Sequence, residues 1–280
     1  MARGAPVGLY NIPPGHKMTG EIQPHRETVR PVALVTGASR RQGLGAAIAL
    51  ALAEAGWDVA ITYWSAFDSE MEWGADQGGP AQIGEEVRRT GARFFGVECD
   101  LTRAETPAEV LGVVEANLGP ASGLVLNHCE CRPVGLMEMT RELLARHFTV
   151  NVQANALLIQ EFATRFPRGC PGRIASLTSD HTAGNVPYGV TKGAADRLTL
   201  AAAHELAHLG VTANAINPGP TDTGWMDESL REDVARKTPL NRPARPEDVA
   251  NLVAFLFSEK GSWVTGQLLY SNGGFRSTIG

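Results

Sequence analysis

No stretch of this chain approaches the ~18 uninterrupted apolar residues that a membrane-spanning helix needs, so no segment is read as crossing a bilayer. Runs rich in Lys or Arg are also missing, and a formal net charge of -5 argues against a nucleic-acid partner. Cysteine is scarce. The spacings of Cys99, Cys129, Cys131 and Cys170 fit neither a zinc motif nor a small disulfide framework. His128 beside Cys129 and Cys131 has no second ligand pair at metal spacing, which leaves no metal site to expect. A polar linker is absent after residue 30, so residues 31–280 are read as one large domain. Residues 1–30 carry Pro13-Pro14-Gly15 and lack the apolar run of a signal peptide or anchor. They predict a flexible arm on a cytoplasmic protein.

What is present is a regular alternation. Residues 31–36 form a short apolar, β-branched run that stops at Gly37, the pattern of a buried parallel strand entering a tight turn. Residues 43–55 are rich in Ala and Leu and predict a helix, and residues 58–63 predict the next strand. The rhythm continues with helices over 83–89, 107–118, 140–166, a segment ending near 208, and 246–258. Strands fall at 93–99, 123–127, 172–177, 211–216 and 267–270. Seven strands alternating with helices predict an α/β, doubly wound Rossmann fold: a parallel sheet with helices on both faces. Residues 64–80, with Trp64, Phe67, Trp73 and four acidic residues, are too long for a simple turn and predict a structured loop.

The turn itself suggests a phosphate cradle. Gly37, Gly43 and Gly45 let the backbone turn sharply and approach a dinucleotide at the positive end of the following helix, with Ser39 and Leu44 beside them. The second strand ends Thr62-Tyr63-Trp64-Ser65, without the carboxylate that accepts bonds from an NAD ribose. Arg40 and Arg41 could meet a 2′-phosphate instead, which favours NADP, with NADPH preferred and NAD retained as the alternative. Asp100, followed by Leu101, is placed to bond the adenine amino group, although acids after strands also serve as caps.

Tyr188 and Lys192 supply the chemistry. Four residues apart on a helix, their side chains share one face, so a cation can lower the pKa of a phenol and make it a proton-transfer group. Beside a dinucleotide, that pair points to hydride transfer at a carbonyl or carbinol.

Taken together, these motifs resemble the short-chain dehydrogenase/reductase family over residues 31–276, most closely the branch labelled 3-oxoacyl-[acyl-carrier-protein] reductase. The resemblance implies that Asn127, Pro218, Gly219, Thr221 and Thr223 contact the cofactor along with Tyr188 and Lys192. It also implies that Asn151 holds a water that relays protons from Lys192. A catalytic serine is implied as well. Spacing to Tyr188 suggests Ser176, whereas the strand register from Gly172 favours Ser179 in a loop shortened by four residues, with Thr178 a minor candidate. The turn between Gly37 and Gly43 is two residues longer than usual, and Asn127-His128-Cys129 replaces a run of smaller side chains.

The expected reaction is NADPH-dependent reduction of a small-molecule ketone or aldehyde, with a mobile substrate loop at about residues 222–245. Two alternatives stand beside it: an NAD-dependent alcohol or sugar dehydrogenase, and an inactive cofactor-binding scaffold. Alanine and leucine on more than one face of the helices at 143–165 and 189–208 predict a homo-oligomer; the resemblance implies a homotetramer, paired through these helices and then through the last helix and strand.

Overall fold

A computed structural model describes residues 30–275; the arm expected over residues 1–30 falls almost wholly outside that range. The chain alternates as expected. Strand β1 (Val32–Val35) leads through the glycine turn to α1 (Leu44–Glu54) and β2 (Asp58–Tyr63). Next come α2 (Ser65–Glu70), α3 (Gly79–Arg89), β3 (Phe94–Glu98), α4 (Thr106–Leu118) and β4 (Ala121–Leu126). The second half runs α5 (Arg141–Phe148), α6 (Ala154–Arg165), β5 (Gly172–Leu177), α7 (Val186–Glu205) and β6 (Val211–Asn217). It finishes with α8 (Glu228–Lys237), α9 (Pro246–Phe257) and β7 (Leu268–Tyr270).

All seven strands pair in parallel, in the order β3-β2-β1-β4-β5-β6-β7. Because β1 and β4 are neighbours while the chain leaves them in opposite directions, a crevice opens above their carboxyl ends. The central strands are apolar on both sides: Leu34, Leu124 and Ile174 face one core with α4, α6 and α7. Val35, Val125 and Ala175 face another with α1, α3 and α9. Each fully buried Leu or Ile contributes roughly 2 kcal/mol by removal from water, and the two cores hold the strand ends, and therefore the crevice, in register.

Two stretches differ from the sequence reading. The helix expected over 140–166 is interrupted by a π-helical turn at Thr149–Gln153, where one widened turn separates α5 from α6. The expected loop at 64–80 contains α2 and the first residues of α3, which starts a turn before the expected residue 83 with Pro80 in its first turn.

Candidate active site

The glycine turn comes first. Gly37 adopts φ +70, and a Cβ there would stand 2.7 Å from the His128 Cα, so only glycine allows β1 to turn beneath the loop after β4. The two additional residues form a reverse turn closed by Gly43 N–H donating to the Arg40 carbonyl at 3.0 Å. Gly43 is the N-cap of α1. It offers no side-chain cap, and no acid lies in the first turn, so the free amides and the positive helix end face the crevice. That donor set fits a dinucleotide diphosphate.

Asn127 braces the turn, its Nδ2 donating to the carbonyls of Thr36 (3.0 Å) and Gly37 (2.8 Å). His128 sits behind it, with Nδ1 2.7 Å from the Thr36 hydroxyl and Nε2, assigned as the protonated nitrogen, donating to the Val150 carbonyl at 3.1 Å. Burial, reinforced by the Lys192 cation, pushes His128 down to about 4, so the ring is neutral near pH 7.

One cleft runs from the glycine turn to Tyr188 and Lys192. Gly37, Ser39, Arg40, Gly43 and Leu44 line one part of it, and Leu101, Asn127, Pro218 and Thr223 line others. Several expected contacts lie outside its lining. Arg41 points away, bound to Asp76 through Nε and Nη2 at 3.0 Å each, so it is not the free cation that the sequence suggested. Asp100 accepts from Thr102 N–H at 2.8 Å, closing a turn in the loop before α4. Gly45 packs inside α1 against Ala38, while Gly219 and Thr221 lie behind Pro218, where the Thr221 hydroxyl donates to the Pro218 carbonyl at 3.2 Å.

The crevice also contains residues that no motif revealed. Helix α2 brings Phe67 and Asp68 to the end of the cleft near β2, joined by Trp64 and Trp73. Trp73 Nε1 donates to Asp68 Oδ1 at 3.1 Å, and the Arg40 guanidinium lies 4.9 Å above the same indole. Arg40 also donates to the Thr223 carbonyl at 3.1 Å, linking the turn to the segment after β6. The sequence signal was the cluster of Trp, Phe and acids in the insertion, but its partners lie far away along the chain.

At the other end, Lys192 is buried, and its Nζ donates to the Leu177 carbonyl at 2.7 Å while lying 5.6 Å from the Tyr188 ring centroid. Tyr188 departs from expectation. Burial, then the thiols of Cys129 and Cys131, hold its phenol well above the ordinary tyrosine value, and Ser179 within hydrogen-bonding reach pulls weakly the other way. Desolvation is the largest influence on this phenol.

Ser176 lies inside β5, opposite Leu126 and Ala215, its buried hydroxyl without a partner among the described residues. Ser179 stands two residues past the strand and accepts from His181 N–H at 3.1 Å. The shortened loop folds directly onto α7, because the His181 carbonyl occupies the space where a Cβ of residue 189 would stand. Gly189 therefore lets the loop bring Ser179 toward Tyr188.

Asn151 sits in the π-helical turn, and its side-chain amide makes three hydrogen bonds. Oδ1 accepts from Glu130 N–H (2.7 Å), and Nδ2 donates to the Glu130 carbonyl (2.9 Å) and to the Thr191 hydroxyl (3.0 Å). It is a strut between the loop after β4 and α7. Glu130, fully buried, is held by Arg132 (2.8 Å) and Arg146 (2.7 Å). Beyond β6 the substrate loop is pinned at its base, where Asp222 N–H donates to the Ala244 carbonyl (2.9 Å) and Ala244 N–H to that of Pro220 (3.1 Å). Met226 packs inward at 3% exposure, while Trp225 is 52% exposed.

Comparison with known proteins covers nearly all of this architecture. Residues 37–276 match the model of the family described as enoyl-(acyl carrier protein) reductase. An uncharacterized oxidoreductase of Bacillus subtilis is 35% identical over 250 residues, 87% of this chain and 96% of the relative. A 3-oxoacyl-[acyl-carrier-protein] reductase of Staphylococcus epidermidis is 32% identical over 249 residues, 86% of this chain and 97% of the relative. Among solved structures, a blue fluorescent protein from a metagenomic library, in complex with NADPH, superposes with a TM-score of 0.77. It shares 31% identity and covers 88% of this chain and 98% of its own. Agreement of this extent, spanning the cleft from the glycine turn to the segment after β7, makes the chain a member of the short-chain dehydrogenase/reductase family and an NAD(P)-dependent oxidoreductase.

Proposed function

We propose that the protein reduces a ketone or aldehyde to an alcohol, with NADPH preferred over NADH. The observation that carries this reading is a cleft lined at one end by Tyr188 and Lys192, with Ser179 within hydrogen-bonding reach of Tyr188, and at the other by a glycine turn and a free helix N-terminus. NADPH bound there supplies the hydride. The amides of the glycine turn and α1 would hold its diphosphate, and Arg40 its 2′-phosphate. Lys192 and Tyr188 would hold the nicotinamide ribose, and Pro218 and Thr223 the carboxamide side.

Ser179 donates a hydrogen bond to the substrate oxygen as negative charge develops there, and Tyr188 O–H transfers its proton to the same oxygen. The Tyr188 phenol, held above its ordinary value by burial, is protonated at neutral pH, the state a proton donor needs. Asn151 fixes the wall formed by residues 128–130 against α7, which keeps Tyr188 and Lys192 in line with the cleft.

Tyr188→Phe is expected to keep cofactor affinity and thermal stability while lowering turnover at least ~100-fold, the usual contribution of a general acid. Turnover of wild type and variant on a panel of ketones and aldehydes, with NADPH and NADH, checks this. Near wild-type rates would remove Tyr188 from the chemistry. The exposed apolar side chains Val190 and Phe148, on α7 and α5, support pairing through these helices, and Phe255, Leu268 and Tyr270, on α9 and β7, support a second contact that makes a homotetramer. A light-scattering mass near 30 kDa at micromolar concentration would refute that assembly.

A further inference from the structure

Two carboxylates reach the cleft, and they differ in what faces them. Glu130 is neutralised by Arg132 and Arg146. Asp68 is also buried, at 7% exposure, yet its Oδ1 takes a hydrogen bond from the neutral Trp73 indole, and among the described residues no cation bonds to it directly. Asp68 stands on the short helix that follows β2 and lines the cleft where it passes the end of that strand. In a Rossmann crevice that is the adenosine end, where a carboxylate accepts the ribose 2′-hydroxyl and a cation meets a 2′-phosphate. Here both kinds of group share one indole: Arg40 lies on its face at 4.9 Å, and Asp68 accepts from its edge at 3.1 Å. Neighbouring Arg41 is already consumed by Asp76.

We propose that Asp68 is a cofactor-specificity residue, supplied by the α2 insertion in place of the carboxylate absent from the end of β2, and that it keeps NAD(H) usable beside NADP(H). The idea rests on the reading of this cleft as the dinucleotide site. The Asp68 carboxylate accepts the 2′-hydroxyl of NAD(H). Toward a 2′-phosphate it is repulsive and shares the charge of Arg40, so the preference that Arg40 confers is reduced. The wild-type protein is accordingly expected to bind both NAD+ and NADP+, and both fragments, 5′-AMP and adenosine 2′,5′-bisphosphate.

Asp68→Asn separates charge from scaffolding, because the amide oxygen still accepts from Trp73 Nε1 and leaves the indole and Arg40 in place. Calorimetric Kd values for NAD+, NADP+ and the two fragments are compared in wild type and variant, with the melting temperature as a check on folding. The NAD+/NADP+ Kd ratio is expected to rise at least tenfold, through weaker NAD+ and unchanged or tighter NADP+ binding, since a hydrogen bond to a charged acceptor is lost and a repulsion is relieved. Fragments should shift in the same sense. If Asp68→Asn folds poorly, Asp68→Ser gives the same reading with a short uncharged side chain. A ratio that moves less than twofold, or equal weakening of both dinucleotides, would reduce Asp68 to a support for Trp73 and overturn the proposal. Absence of binding of either dinucleotide to the wild-type protein would instead overturn the assignment of the cleft itself.

Discussion

Gly189→Ala tests how the shortened loop after β5 reaches the site. A Cβ at position 189 would overlap the His181 carbonyl oxygen and stand 3.0 Å from its carbon. Carbon–carbon contacts relax to ~3.5 Å or more, and the oxygen needs more room still, so loop or helix must move by roughly 1 Å. The obstacle is backbone, which cannot swing aside as a side-chain tip would. His181 N–H is bonded to Ser179 Oγ, and Ser179 is the group set against Tyr188, so the shift passes to the reacting end of the cleft. Such a displacement costs up to ~100-fold in turnover. Stability responds less, because overpacking of about 1–3 kcal/mol is partly offset by up to about 1 kcal/mol gained when alanine replaces glycine in a helix. Gly193, on the same helix, has open space beyond its Cα, and Gly193→Ala measures that propensity gain alone. The expected result is a Gly189→Ala protein that melts within a few degrees of wild type, binds NADPH normally and reduces carbonyl substrates 10- to 100-fold more slowly. Turnover within threefold of wild type would refute the coupling between loop and helix.

Other expectations follow from the same geometry. Ser179→Ala should lower turnover by at least ~100-fold through loss of an oxyanion donor, whereas Ser176→Ala should leave it unchanged; a larger effect at Ser176 would reverse the register argument. His128 also makes stability depend on pH. Its folded pKa of about 4 lies below the ordinary histidine value of 6.5, so between those values the unfolded chain binds the proton and the folded one does not. Stability is full above about pH 6.5 and falls by about 3 kcal/mol as pH drops through 4. Urea unfolding at pH 7 and pH 4.5 measures this, and His128→Asn should show a smaller loss over that range; equal losses would show that His128 is not the group responsible.

Much of this protein was legible in the order of its residues. Buried parallel strands are continuous apolar runs, so β1, β2 and β5 could be placed with an error of one residue or less, and the alternation of periods set the doubly wound order. Tyr188 and Lys192 share a face because four residues make about one helical turn, whatever surrounds them. The shared feature of these readings is short range: each depends on neighbours within a few positions. Other properties belong to the tertiary structure. Arg41 and Asp76 are 35 residues apart, and only their meeting decides which arginine of the glycine turn remains at the cleft. Asp68 reaches the adenosine end because α2 folds back over the turn, and Asn151 becomes a strut because a π-helical turn aims it at residues separated from it by 21 and 40 positions. The direction of the Tyr188 shift was misread for a related reason: spacing brings a cation near the phenol, but desolvation is a sum over everything packed around it, and that sum exists only once the chain has folded.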